Sequence, residues 1–318
     1  MLYEAHFGLR RRPFATTADG KFWYPATSHQ QALTRLLQGL ENDEEVLLLT
    51  GTPGTGKTAL ARFLMDKLSP GTIALFLSDC RFRTRLELYQ TLAHELGLEW
   101  ERTPEQELKL RCIDAIDESA RAGRRTIVVA DEAQHLPSDL LEEWRLIGNL
   151  QGPHGKLVRT ILVGWPILLQ ALRQDVVVGL DQRVVTRTVL EPLGRDEAID
   201  FLVHHVRLAG GQPSRLFTDE ALAMLAQASG GLPRRLAQLG HRALMVAHAA
   251  ETQRVDAEVA HEAITSLPWD VELPKHSDPT EPDREPPDPD EPQDGDVFVF
   301  EVGSKEPAPA TPRRNRVG

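Results

Sequence analysis

The residues best placed to do chemistry are a lysine and a threonine that close a glycine-rich run, Gly51-Thr52-Pro53-Gly54-Thr55-Gly56-Lys57-Thr58. Glycines let the backbone N–H groups of such a run turn inward around an anion. The ammonium of Lys57 can then reach the β- and γ-phosphates of a bound polyphosphate, and the hydroxyl of Thr58 can bind a divalent cation. The spacing fits G-x-x-x-x-G-K-[ST] in full. The apolar run "EVLLLT" before it reads as a buried strand, and the residues after it, to about Lys67, as a helix. That is the context such a loop requires, with the helix N-terminus adding partial positive charge.

A second pair of chemical groups follows. In "TIVVADEAQHL" four apolar residues lead into Asp131-Glu132. Asp131 is placed to hold the shell of a Mg²⁺ ion, and Glu132 to orient and deprotonate a water. A water-activating carboxylate beside a γ-phosphate argues for hydrolysis rather than transfer to an acceptor, which disfavours a small-molecule kinase. Nothing resembles Asn-Lys-x-Asp, so guanine specificity has no support. "DEAQ" also occurs in some helicases, but those need a second motor domain that the helical C-terminal half does not provide.

The elements that must carry these groups alternate. "TIALFLS", "LVRTILVG" and "RVVTRTVL" read as further strands, and "TRLELYQTLAHELGL" has helical spacing. "SHQQALTRLLQGLEN" reads as a helix opened by a capping box, Ser28 with Gln31. "TPEQELKLRCIDAIDESARAG" reads as another, with Thr103 as N-cap, Pro104 at its first position and Gly123 as its stop. Strands that are apolar on both faces and separated by helices predict an α/β fold: a parallel sheet covered on both sides. From about Gly194 the strands stop and four amphipathic helices follow, predicting a small all-α lid domain. The expected organisation is 1–43 for the opening segment and first helix, 44–193 for the P-loop NTPase α/β core, 194–267 for the lid, and 268–318 for an acidic, Pro-rich disordered tail.

Composition supports that division. The 318 residues are 41% hydrophobic, enough for a sizeable core. The net charge of -11 is mostly the tail's: after residue 267, 13 Asp and Glu face 6 Lys and Arg, which leaves -4 for the rest. A local basic patch for nucleic acid is therefore compatible with the balance. Two cysteines, Cys80 and Cys112, stand in no metal-ligand spacing and read as buried thiols in a reducing compartment. The N-terminus lacks the apolar stretch of a signal peptide and no run is long enough for a membrane span, so a cytoplasmic location is expected. Within the tail, "DVFVFEV" alternates apolar and acidic residues, either a hydrophobic blip or a short strand that adds to a partner's sheet edge.

In order, the glycine loop, "VVADEAQHL", "ILVGWP", "LDQRV" and "SGGLPRRL" resemble the AAA+ ATPase domain of the general secretion pathway protein A family and the related ATP-binding subunits of bacterial transposition systems. "FGLRRRPF" and "FWYPATSHQQAL" extend the resemblance to about residues 3–267. It implies ATP and Mg²⁺ as ligands and a homo-oligomer formed on ATP. It also implies that Arg183 acts as an arginine finger toward a neighbour's ATP, with Arg187 the alternative, and that Arg234 acts as the second sensor, with Arg235 the alternative. Tyr24, Pro25 and His29 would surround the adenine, His29 serving equally well as a first-turn helix residue. Two features depart from the family. Trp165 stands where relatives carry a polar residue that aligns the attacking water, which points to slow or partner-dependent hydrolysis unless Gln134 substitutes. An acidic tail replaces the family's membrane helix. The partner implied is a protein of secretion or pilus-assembly type, recruited through the tail. The alternative is DNA, bound through Arg10, Arg11, Arg12 and the lid arginines.

Overall fold

The computed structural model describes residues 3–14, 23–152, 155–174 and 178–267. The expectations placed on the tail, including its strand-like segment, lie outside them. The first helix, α1 (Thr27–Glu41), precedes strand β1 (Val46–Gly51), helix α2 (Lys57–Met65) and β2 (Thr72–Leu77). Next come α3 (Arg85–Glu95), α4 (Glu105–Arg121), β3 (Arg125–Ala130), a 3-10 turn over Ala133–His135 and α5 (Ser138–Gly148). A two-residue antiparallel ladder, β4 (Gln151–Gly152) with β5 (Gly155–Lys156), leads into β6 (Val158–Gly164), α6 (Ile167–Leu172), α7 (Val178–Asp181) and β7 (Val184–Leu190).

Five strands form one parallel sheet in the order β2-β3-β6-β1-β7. β1 is buried along its whole length because both of its faces are covered. Val46 and Leu48 point to the face packed by α3, α4, α5 and α6, through side chains such as Leu92, Ile116, Leu140 and Leu168. Leu47 and Leu49 point to the face packed by α1 and α2, through Leu36, Leu60 and Leu64. This alternation is the period of two that a strand imposes on apolar residues. Each of these leucines contributes roughly 1.5–3 kcal/mol by leaving water. The sheet therefore delivers the C-terminal ends of β1 and β3 to one edge, where the glycine loop and the carboxylate pair begin.

Helices α8 (Arg195–Leu208), α9 (Pro213–Leu216), α10 (Asp219–Ser229), α11 (Pro233–Ala249) and α12 (Ala257–Thr265) follow. They enclose a separate core of Leu202, Leu225, Leu236, Leu244 and Ala260, into which the N-terminal residues Tyr3, Phe7, Leu9 and Phe14 also pack. The Phe14 ring is admitted because Gly240 of α11 has no side chain; a Cβ there would lie 2.7 Å from it. No helix among the described residues is long and apolar enough to cross a membrane.

Two local expectations shift. α1 starts at Thr27 with Ala26 as its cap residue, so Ser28 lies inside the first turn and caps nothing. The Thr27 N–H instead donates to Glu197 Oε1 of α8 at 2.8 Å. In α4, Pro104 is the N-cap residue rather than the first helical one, and Thr103 lies outside. Gly123 follows the end of α4 at φ +74°, as a stop in the left-handed region requires.

Candidate active site

Gly51 ends β1 against β7, and a Cβ there would come within 2.7 Å of the Leu190 carbonyl. Gly54 and Gly56 take φ of +87° and +95°, values that L side chains avoid. Thr52 and Pro53 stand exposed, whereas Thr55 is buried and donates through Oγ1 to the Thr52 carbonyl at 2.9 Å. Lys57 opens α2, and its ammonium folds over the loop to donate to the same carbonyl at 3.0 Å. Burial pulls the ammonium's pKa below the usual lysine range, while Glu132 and Asp131 oppose that shift and Arg234 adds to it.

Asp131 extends the β2–β3 ladder by donating its N–H to Leu77 at 2.9 Å. Its buried carboxylate accepts from Thr58 Oγ1 at 2.6 Å and from the Glu132 N–H at 2.9 Å. Burial raises its pKa, and the two hydrogen bonds work against that rise. Glu132 follows at φ +55°, a left-handed conformation that costs a non-glycine residue on the order of 1–3 kcal/mol. Its Oε2 accepts from Gln134 Nε2 at 2.6 Å. The Gln134 Oε1 in turn accepts the Trp165 N–H at 3.1 Å.

The helical domain closes on the loop at one point. The Arg234 N–H, in the first turn of α11, donates to the Gly54 carbonyl at 3.2 Å. The Arg234 side chain is exposed, with Arg235 half-buried beside it. His29, buried in α1, donates from Nε2 to the Thr55 carbonyl at 2.8 Å; burial lowers its pKa, against that hydrogen bond and the nearby Glu197. Tyr24 stands against Phe201 and His204 of α8, its ring 5.8 and 5.4 Å from theirs, and burial pushes its hydroxyl up to about 12. Pro25 is exposed and its carbonyl accepts from Gln30.

The structure thus brings together the glycine loop, Lys57, Thr58, Asp131, Glu132, His29 and the backbone of Arg234. It does not bring in Arg183. That residue precedes β7, whose first residue pairs with the first residue of β1, at the far end of the sheet. The loop lies a full strand away, roughly 20 Å at about 3.3 Å per residue. Arg183 Nη1 lies 3.4 Å from Glu45 Oε2. Arg187 is tied to Asp181 at 2.9 Å. Sequence reading missed Glu45, Glu197 and Gly164. Glu45 carries a weak signal, as the charged residue directly before a buried strand; the other two carry none, because their partners lie far away in sequence.

An AAA domain model matches residues 40–172. The chain is 34% identical to general secretion pathway protein A of Aeromonas hydrophila over 256 residues, which are 80% of this chain and 46% of that one. The chain therefore spans about half the length of this curated relative. Among solved structures, the Aeropyrum pernix ORC2 protein, in ADPNP-ADP complexes, is similar at a TM-score of 0.63 with 15% identity, over 80% of this chain and 71% of that one. The Aeropyrum pernix ORC1 protein in complex with DNA is similar at 0.62 with 20% identity, over 81% and 69%. Sequence and fold agree: the chain has the AAA+ P-loop fold, matches an AAA domain over residues 40–172, and is similar along 80% of its length to general secretion pathway protein A.

Proposed function

We propose that the chain binds ATP with Mg²⁺, hydrolyses it, and uses the cycle to assemble and release a homo-oligomer that acts on a protein partner of secretion or pilus-assembly type, in the cytoplasm. The observation that carries this reading is the convergence of Lys57, Thr58, Asp131 and Glu132 at the ends of β1 and β3, with α11 touching the loop.

The donors fit the ion. Asp131 and Thr58 offer two hard oxygens that already point at each other. Among the described residues no group of three or more His, Cys, Asp or Glu could form an all-protein metal cage. One carboxylate and one hydroxyl, completed by water and phosphate oxygens, are what Mg²⁺ ordinarily takes. When bound, the ion would neutralise charge on the phosphate oxygens. On this reading Lys57 exchanges the Thr52 carbonyl for a phosphate oxygen. The loop N–H groups surround the phosphates, and Glu132 accepts a proton from the attacking water. Arg234 reports the phosphate state to the helical domain. Tyr24, Pro25 and His29 would surround the adenine. Arg183, remote from its own loop, is available to a neighbour's site. The partner would be recruited through residues 268–318.

The test is Glu132→Gln with ATP. The expected result is a trapped ATP-bound oligomer by light scattering; an unchanged monomer with and without ATP would count decisively against the switch. The DNA reading draws on the fold likeness to a protein solved with DNA. Against it, two of the three opening arginines are engaged: Arg11 donates to the Leu208 carbonyl at the end of α8, and Arg12 pairs with Glu4 at 2.9 Å. Binding to duplex DNA that weakens steeply with salt would favour it.

A further inference from the structure

We propose that Gln134 is the positioning residue for the Glu132 carboxylate, itself held by the main chain at the end of β6. This rests on the hydrolytic reading above. Glu132 sits on a left-handed backbone at φ +55°, two residues past the end of β3, and no ladder holds it there. Its carboxylate needs a hydrogen-bonded tether, since His135 Nε2 stands 4.0 Å from Oε2, beyond hydrogen-bond distance. The Gln134 amide provides one, donating to Glu132 Oε2 at 2.6 Å. The orientation of that amide is fixed at its other end, where Oε1 accepts the Trp165 N–H at 3.1 Å. A main-chain N–H can only donate and an ionised carboxylate can only accept, so the amide has one consistent orientation. The Trp165 indole stands 38% exposed, its ring 6.2 Å from that of His135, and the group Trp165 gives to this network is its main-chain N–H.

A second observation is independent of hydrogen bonding. Gly164, the last residue of β6, faces the amide directly. A Cβ there would lie 2.7 Å from Gln134 Oε1, 3.4 Å from the Gln134 main-chain nitrogen and 3.0 Å from Leu168 Cδ2. Its φ is not positive, so backbone strain does not call for glycine; occupied space does. The end of β6 has been cleared of a side chain, and the Gln134 amide fills the gap. The carboxylate is thereby referenced to β6 as well as to β3, two adjacent strands of the sheet.

The experiment is a double-mutant cycle on Gln134→Ala and Gly164→Ala, with Gln134→Glu as the isosteric control. Steady-state hydrolysis, ADP affinity by calorimetry and melting of the nucleotide-free protein are measured for each variant. Gln134→Ala is expected to lower kcat by about ten- to a hundredfold, the scale of a misplaced reacting group, with KM and ADP affinity within about twofold. Gln134→Glu keeps the shape but loses the donor and should not rescue kcat. Gly164→Ala should lower both kcat and the melting temperature when Gln134 is present. Both effects should shrink when Gly164→Ala is combined with Gln134→Ala, which removes the 2.7 Å contact and leaves the 3.0 Å one to Leu168. Unchanged or raised kcat in Gln134→Ala would overturn the proposal, as would fully additive effects of the two substitutions. If Glu132→Gln hydrolyses ATP at the wild-type rate, the hydrolytic reading itself fails. If Glu132→Gln is inactive while Gln134→Ala is normal, only the positioning role is lost.

Discussion

Lys57 sits 5% exposed with its ammonium folded onto a loop carbonyl, so the group expected to meet a phosphate is already held in place and partly dehydrated. Replacing it with alanine removes a charge-assisted contact worth about 1.5–3 kcal/mol, or roughly ten- to a hundredfold in nucleotide affinity. Lys57→Ala should therefore bind ADP at least about tenfold more weakly by calorimetry. An unchanged Kd would remove Lys57 from the site. At this scale the sequence was informative where the chemistry is contiguous. The glycine loop and Asp131-Glu132 could be read because each is a few residues long and its geometry follows from its own backbone. Gln134 was named but could not be placed, since its partner Trp165 lies 31 residues away. Glu197 reaches Thr27 across 170 residues and leaves no local trace.

Helix α8 illustrates what elements add. Its His205 is buried between Phe14 and Phe201, donates from Nδ1 to the Phe201 carbonyl at 2.8 Å, and has its pKa pulled down to about 4 by burial. The unfolded imidazole titrates near 6.5, so between pH 6.5 and about 4 the unfolded chain holds a proton that the folded chain lacks. The stability this residue contributes is full above about pH 6.5 and falls as pH drops toward 4, by up to about 3 kcal/mol. His29 and His241 are shifted in the same direction and add to the trend. His205→Leu should lose less stability than wild type between pH 7 and 4.5 in urea unfolding; equal losses would show that His205 does not carry the effect. The inner strands of the sheet were legible because they are apolar on both faces, β7 only from its β-branched run, which Arg187 interrupts and whose Val185 and Val189 stand exposed, and the four main helices of the second core because each is amphipathic. The start of α1 was misread because a carboxylate from α8, rather than the local Ser28, satisfies its first N–H. The two-residue ladder β4–β5 and the single turn α9 are too short for any period to reveal.

In the whole molecule, Arg183 and the loop occupy opposite ends of the same sheet, so one copy cannot use its own arginine on its own nucleotide. Arg183→Ala should bind nucleotide normally yet hydrolyse it at least about 10³-fold more slowly. Mixing Arg183→Ala with Glu132→Gln should restore part of the activity, since some interfaces then join an intact Glu132 to an intact Arg183. Two inactive proteins that stay inactive on mixing would rule out action between copies. The opening residues bear on the same question of what can be separated. Tyr3, Phe7, Leu9 and Phe14 are built into the helical core, and Gly240 and Gly211 leave hollows shaped for Phe14 and Leu9. The front of the chain is thus a structural part of its back. Trimming a dozen N-terminal residues would spare the sheet and unseat the helices around α11, so a clone shortened there should still possess its loop while losing the helical core that touches it at Gly54.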